Sequence, residues 1–200
     1  MAEASKVEFG IAKAYYAPIN VGTGGVETYG TPVALPGAVS LSLSRAGSDP
    51  EPFYADNITY YVAPATNGGY TGTLTIAKVP NTFKETILGE IVDDNGIQLE
   101  VSAAATKRFA LLWEVEGDSD QKRRVFWNCT AQRVAESANT KSSSTTPDTQ
   151  ELEFTAIGKD FTVGTGNNEH VVNAVRGSAV TSDTAFSSWY TAVPVPVISG

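Results

Sequence analysis

His170 and Cys129 are the sole histidine and the sole cysteine of this chain, so any nucleophile–base scheme must draw on them. A serine triad needs its histidine beside a serine held on a glycine-flanked elbow, and no such elbow occurs. His170 therefore reads as an ordinary strand or loop histidine. One His and one Cys cannot build a recognisable zinc site, which takes three or four protein ligands. Cys129 alternates with Trp127 and reads as a small buried apolar residue. Carboxylates offer a second chemistry. Glu114 and Glu116 share one strand face, with Asp118 and Asp120 just beyond, and two strand carboxylates at ~5 Å or more can hydrolyse a glycosidic bond. The plainer reading is a solvated strand face running into an acidic turn, and it is adopted here. "DDNG" at 93–96 lacks the spacing and closing Glu of a calcium loop. "GTGG" at 22–25 and "GTGNN" at 164–168 do not complete a phosphate cradle. Lys122 and Arg123 form a charge cluster too small for a nucleic-acid patch. No catalytic, cofactor-binding or metal-binding residue is expected.

Composition points the same way. Two hundred residues suit one domain able to bury roughly 70% of its unfolded surface. Fourteen basic and 22 acidic residues leave a net charge of -8. That balance opposes tight binding to nucleic acid, whose affinity comes from phosphates neutralised by Lys and Arg. No apolar run approaches the ~20 residues of a membrane span. The start, "MAEASKVEFG", carries no apolar leader, and the expectation is maturation in a reducing cytoplasm with Cys129 free. The triplets at Asn57 and Asn128 that match glycosylation acceptors then read as chance. Eighteen glycines and ten prolines, with many Thr, Ser, Val and Tyr, favour β structure.

The elements follow from periodicity. Val7, Phe9 and Ile11 begin a first strand, which reaches Tyr15 or Tyr16, and "PINVGTGGVETYGTP" reads as a glycine-rich loop. Val39, Leu41 and Leu43 alternate with serines. "NITYYV" and "GYTGTLTIA" are strands on either side of "APATNGG". One segment changes period: a short helix is expected near 80–88, with Pro80 in its first turn, Thr82 and Glu85 at capping-box spacing, and Asn81 as the other candidate cap. Phe83, Ile87 and Leu88 form its apolar face, and Gly89 stops it. Asn95-Gly96 predicts a tight turn before "IQLEV". "RFALLWEVE" and "RRVFWNCTAQRV" form the clearest hairpin. Phe109, Leu111, Trp113 and Val115 share one face of the first strand; Val125, Trp127 and Cys129 share one face of the second. Residues 137–149 read as a mobile loop. "QELEFTAI" and "NEHVVNAVR" add strands, and a last helix is expected in "SDTAFSSWYTAV", with Ser182 as cap and Phe186, Trp189 and Tyr190 on one side.

Six pieces stand in order: "LPGAVSLSLS", "PFYADNITYY", "GYTGTLTIAKVPNTFKETILGE", "FALLWEVEGD", "RRVFWNCTAQR" and "ELEFTA". Together they resemble the major tail protein family of siphophages, the tail-tube subunit, over nearly the whole chain. The resemblance implies a mainly β fold: a tail-tube-type β-sandwich or open barrel with a flanking α-helix and long projecting loops. It implies one domain over 1–200, with an N-terminal segment, a long loop near 44–57 and a C-terminal arm. It implies a non-enzymatic structural virion protein without cofactor. Its rings, usually hexamers, would stack into the long non-contractile tail tube, a conduit for the genome. The implied partners are further copies of the chain, a tape measure protein, a tail terminator and distal tail or baseplate proteins. DNA would pass through the lumen without specific binding. The implied location is the virion tail, with assembly in the host cytoplasm. The alternative reading is a carbohydrate- or ligand-binding β-sandwich, for which Tyr60, Tyr61 and Tyr70 are the candidate aromatic platform.

One stretch needs a purpose. "SRAGSDPEPFYADN" reads as a long loop leaving two strands, stiffened by Pro50 and Pro52 and carrying Phe53 and Tyr54 as apolar anchors. Asp49, Pro50, Glu51, Pro52, Phe53 and Tyr54 are the candidate inter-subunit loop, expected to be mobile in the free chain and ordered on docking. Fourteen extended residues reach at most ~45–50 Å, the scale of a neighbouring subunit. The competing reading folds Phe53 and Tyr54 into the local core.

Overall fold

The computed structural model describes residues 9–116, 121–135, 148–164 and 169–197. The chain is mainly β with one short helix, as expected. Its strands are β1 (Phe9–Val21), β2 (Glu27–Tyr29), β3 (Val33–Ala34), β4 (Ala38–Ala46), β5 (Glu51–Ala55), β6 (Ile58–Ala63), β7 (Gly69–Ile76), β8 (Ile91–Val92), β9 (Gln98–Leu99), β10 (Phe109–Glu116), β11 (Arg123–Ala131), β12 (Gln150–Ala156), β13 (Lys159–Val163), β14 (His170–Ala174) and β15 (Arg176–Ala179). The main antiparallel sheet runs β2-β1-β10-β11-β12-β7-β4, with β3 on β1 and β15 on β11. Three two-stranded ribbons, β5–β6, β8–β9 and β13–β14, stand apart from it.

The sheet is apolar on both sides, but not everywhere. One face carries Tyr16, Leu74, Phe109, Leu111, Trp113, Phe126, Leu152 and Phe154. The expected helix covers it: α1 (Asn81–Phe83) runs directly into a single π turn, Lys84–Leu88. Phe83 and Ile87 are fully buried, and the Phe83 ring meets Tyr16 and Phe109 edge-on at 4.8 and 5.4 Å. Gly89, at φ 76° and ψ 25°, ends the helix in the left-handed region that a side chain disfavours. The expected capping box does not form: Pro80 is the N-cap residue, and no side chain caps the turn.

On the opposite face Ala17, Ala110, Leu112, Val125 and Trp127 are covered by Phe161, Val163, Trp189 and Val193. The cover consists of β13–β14 and the C-terminal turns. The expected last helix is a short 3-10 turn, Thr184–Phe186, with Asp183 rather than Ser182 at its start. The Asp183 carboxylate accepts the Val180 N–H at 2.8 Å.

The central hairpin departs from the expectation at one residue. Phe109 pairs with Cys129, but Leu111 pairs with Phe126. Two steps along β10 therefore match three along β11, the signature of a β-bulge. Cys129 moves to the face of Phe126, not that of Val125 and Trp127. It is buried there, as expected, and burial pushes its thiol pKa up. The bulge also buries Asn128. Its side chain contacts Arg108 and the Gly158 carbonyl, each at 3.4 Å.

The segment expected as a loop near 44–57 is mostly strand. β4 continues to Ala46, and β5 pairs with β6 through Asp56 and Asn57 at φ 52° and 60°. Two successive positive φ values make the tight hairpin turn that follows strand twist, which short polar residues tolerate. The glycine-rich stretch near 22–30 likewise holds a short strand, β2, folded back on the end of β1. Asp93–Gly96 is the expected turn: Gly96 N–H donates to the Asp93 carbonyl at 3.0 Å, between β8 and β9. The acidic turn with Asp118 and Asp120, and most of 137–149, lie outside the described residues.

Candidate assembly surfaces

Of the residues considered for chemistry, Glu114 and Cys129 are buried within the fold. The solvated face expected for Glu114 is not found: the residue is only 6% exposed, because β1, β11 and the C-terminal turns close over it. Its carboxylate accepts from Arg123 Nε at 2.9 Å, Lys13 Nζ at 3.2 Å and the Tyr190 hydroxyl at 3.2 Å. Burial raises its pKa, but the Arg123 and Lys13 hydrogen bonds and charges outweigh this, and the net shift is downward. Arg123 lies over the Phe186 ring, 3.6 Å from its centroid, and donates to the Phe186 carbonyl. Tyr190 in turn stacks on Tyr15 at 4.4 Å. One buried carboxylate thus ties β1, β10 and β11 to the C-terminal turns. Glu116, two residues on, is exposed.

A second carboxylate does the same at the other end. Glu27 pairs with Lys159 and Arg108. The Lys159 hydrogen bond lowers its pKa most, partly opposed by burial and reinforced by Arg108. His170 is an exposed residue of β14, opposite Val163. Among the described residues no group of three or more His, Cys, Asp or Glu could hold a metal ion, and no helix is long and apolar enough to cross a membrane.

Three surfaces remain without a role inside the chain. The first is a polar face. Where the C-terminal cover ends, the register aligns small hydroxyl side chains across neighbouring strands. Thr130, Thr155, Thr71 and Ser44 form one row, Glu153, Thr73 and Ser42 the next, and Glu151, Thr75 and Ser40 a third. These alternate with the buried Leu74, Leu152 and Phe154, so they point away from the core under the helix. Among the described residues these rows hold two carboxylates and no Lys or Arg.

The second is the edge of β4, nine residues that among the described residues pair only with β7, with β1 passing close by. Such an edge offers unpaired backbone groups to another chain. The third is the β5–β6 arm. Phe53, Tyr54, Tyr60 and Tyr61 are 61%, 63%, 72% and 58% exposed, and Ile58 and Val62 are exposed with them. Neither core includes Phe53 or Tyr54. Asp49, Pro50 and Glu51 are exposed at its base. The tyrosine platform does not assemble, because Tyr70 packs against Phe126 at 5.3 Å while Tyr60 and Tyr61 stand on the arm.

Residues 2–198 match the family model described as phage tail tube protein. The chain belongs to the phage tail tube protein family. No curated protein matches it significantly. Membership makes this tail tube protein a structural component of the virion tail that assembles with itself into a tube. A polar face, an open sheet edge and an apolar arm are parts that a lone domain does not use and a polymer does. Alternation in the sequence marked the serines of β4, but the matching rows on β7, β12 and β11 needed the register to appear.

Proposed function

We propose that this tail tube protein, folded as one domain over 1–200, forms hexameric rings stacked into the long non-contractile tail of a siphophage. The hollow tube conducts the genome. The observation that carries this reading is the hydroxyl-and-carboxylate face of β4, β7, β12 and the end of β11. Lining the lumen, it presents short side chains that leave the bore open. Glu151 and Glu153 repel phosphate, and the described rows hold no Lys or Arg to release counterions and hold the DNA. The helix then lies on the outer side, beneath the opposite face of the same sheet. The free edge of β4 meets the neighbouring subunit in a head-to-tail contact, which closes when repeated around a ring. Asp49, Pro50, Glu51, Pro52, Phe53 and Tyr54, at the base and on the first strand of the arm, contact another subunit.

Tape measure protein would fill the growing tube, with a terminator at one end and distal tail or baseplate proteins at the other, during assembly in the host cytoplasm. Negative-stain electron microscopy of concentrated protein, or of an assembly reaction with a tail initiator, tests the reading. The expected result is rings or hollow tubes. An initiator-primed reaction that yields no tubular polymer containing this chain overturns it.

A further inference from the structure

The chain holds two Asn-Gly pairs, Asn67-Gly68 and Asn95-Gly96. Asparagine is a thermolabile residue, and a following glycine makes it most so. With no Cβ to shield it, the glycine nitrogen can close on the asparagine side chain. Both asparagines are exposed, so solvent access does not separate them. Their surroundings do.

Asn67-Gly68 is locked by a distant part of the chain. Gly68 N–H donates to the Ala46 carbonyl at 2.7 Å, and Thr66 N–H to the Ser48 carbonyl at 3.1 Å. Ser48 N–H donates to Thr66 Oγ1 at 2.9 Å. The Asn67 side-chain oxygen accepts from Gly69 N–H at 3.2 Å, and Gly69 is buried. A Cβ on Gly68 would stand 3.1 Å from backbone atoms of Ala46 and Gly47. The attacking nitrogen is therefore bonded and crowded at once, and freeing it means opening the end of the β4–β7 ladder.

Asn95-Gly96 is held only by its own turn. The bonds there all run to Asp93. Gly96 N–H donates to its carbonyl at 3.0 Å, Asn95 N–H and Ile97 N–H to Oδ1 at 2.9 and 2.7 Å, and Asn95 Nδ2 to Oδ2 at 3.2 Å. A Cβ on Gly96 would meet nothing within 4 Å. β8 and β9 are two residues each. Their apolar residues Ile91, Val92 and Leu99 are exposed, as is Ile97, and none belongs to either core. Segments with so few buried contacts open locally at little cost.

We propose that Asn95 is a site of spontaneous deamidation in the folded chain and that Asn67 is protected from it. When the turn opens, the Gly96 nitrogen attacks Asn95 Cγ. The N–Cγ bond forms, the Cγ–Nδ2 bond breaks, and the amide proton leaves with Nδ2 as ammonia. Water then opens the cyclic imide. Cleavage at Cγ leaves aspartate, and cleavage at the main-chain carbonyl leaves isoaspartate, which lengthens the backbone by a carbon. Neither step needs an oxidant, a metal or an enzyme. Either product sets a new carboxylate beside Asp93, whose own pKa is lowered chiefly by the Ile97 N–H, and removes the Nδ2 hydrogen bond. The reaction thus weakens the turn that joins β8 to β9. It does not depend on the tube reading.

The test incubates the full folded chain at mildly alkaline pH and follows it by isoelectric focusing and by peptide mapping that resolves isoaspartate. A more acidic band should grow in, with its product at Asn95. The rate at Asn95 should exceed that at Asn67 by about tenfold or more, because each follows the open population of its own segment. In denaturant the two rates should converge. Asp93→Ala removes the three side-chain bonds of the turn. Relative to its own rate in denaturant, that variant should react several-fold faster at Asn95 and no faster at Asn67. Equal rates at the two asparagines in the folded chain, product at Asn95 only in denaturant, or an Asp93→Ala chain that reacts no faster overturns the assignment.

Discussion

Glu114 shows how little a residue type says without its neighbours. A strand glutamate beside an acidic turn has the type for acid–base work. Here two cations and a phenol hold it, and it joins the C-terminal turns to the sheet. Its pKa, like that of Glu27, is lower in the folded chain than in the free residue. A depressed carboxylate contributes stability that is fully present above the unfolded value of about 4.3 and is lost as pH falls through the folded value. Thermal stability should therefore hold from neutral pH to about pH 5 and decline below about 4.5, partly on account of this pair. Glu114→Gln should cost ~1.5–3 kcal/mol at neutral pH, since it removes hydrogen bonds to charged groups. The difference between variant and parent should shrink from pH 7 to the lowest pH at which both still fold, as Glu114 takes up its proton and becomes as neutral as glutamine. Thermal melts of the two proteins at each pH decide this. A gap of equal size at both values would show that the carboxylate's charge contributes nothing.

At the scale of elements, the helix is small and its effect is large. Eight residues, Asn81 to Leu88, place Phe83, Ile87 and Leu88 in the core on one face of the sheet. A helix this short is not stable alone, so burial of that stripe is what holds it. Phe83→Ala should cost ~3–5 kcal/mol, because the ring fills a fully buried site between two other aromatics. An unchanged melting temperature would mean that the ring is not packed. The helix was legible in the sequence because its period differs from that of its surroundings and Gly89 punctuates it. The π turn and the absence of a side-chain cap were not, since both depend on how the helix settles on the sheet. The β11 bulge was hidden for the same kind of reason. Strict alternation places Cys129 with Trp127, and only the pairing to β10 shows one residue too many.

At the scale of the molecule, one sheet face is divided into a covered and an uncovered part. The C-terminal turns cover β1, β10 and the first part of β11, and the rest stays bare and polar. If that bare face lines the lumen, reversing its charge should make the tube sticky without disturbing the core, because Glu151 and Glu153 are exposed. Glu151→Lys with Glu153→Lys should still fold and form tubes. Those tubes should retain duplex DNA at low salt and release it as salt rises, because neutralised phosphates shed counterions that salt restores. A filter-binding titration across ionic strengths checks the slope. Tubes that stay as indifferent to DNA as the parent would place the face elsewhere.

The sequence by itself settled the class of the chain. Period-two alternation, turn residues and one helical interruption specify β strands through local sterics and solvent exposure, which neighbouring residues encode. Six ordered segments were enough to reveal the family. The sequence also singled out Phe53 and Tyr54, because two aromatics between prolines and acids are out of place in a loop. Pairing lay beyond it. Whether 51–63 is a loop or a ribbon, which strand meets β12, and which hydroxyls share a row depend on hydrogen bonds between residues far apart in the chain. Those bonds are chosen by how the whole sheet buries its two apolar faces. Only the tertiary structure decided them, and with them which surfaces were left for other copies of the chain.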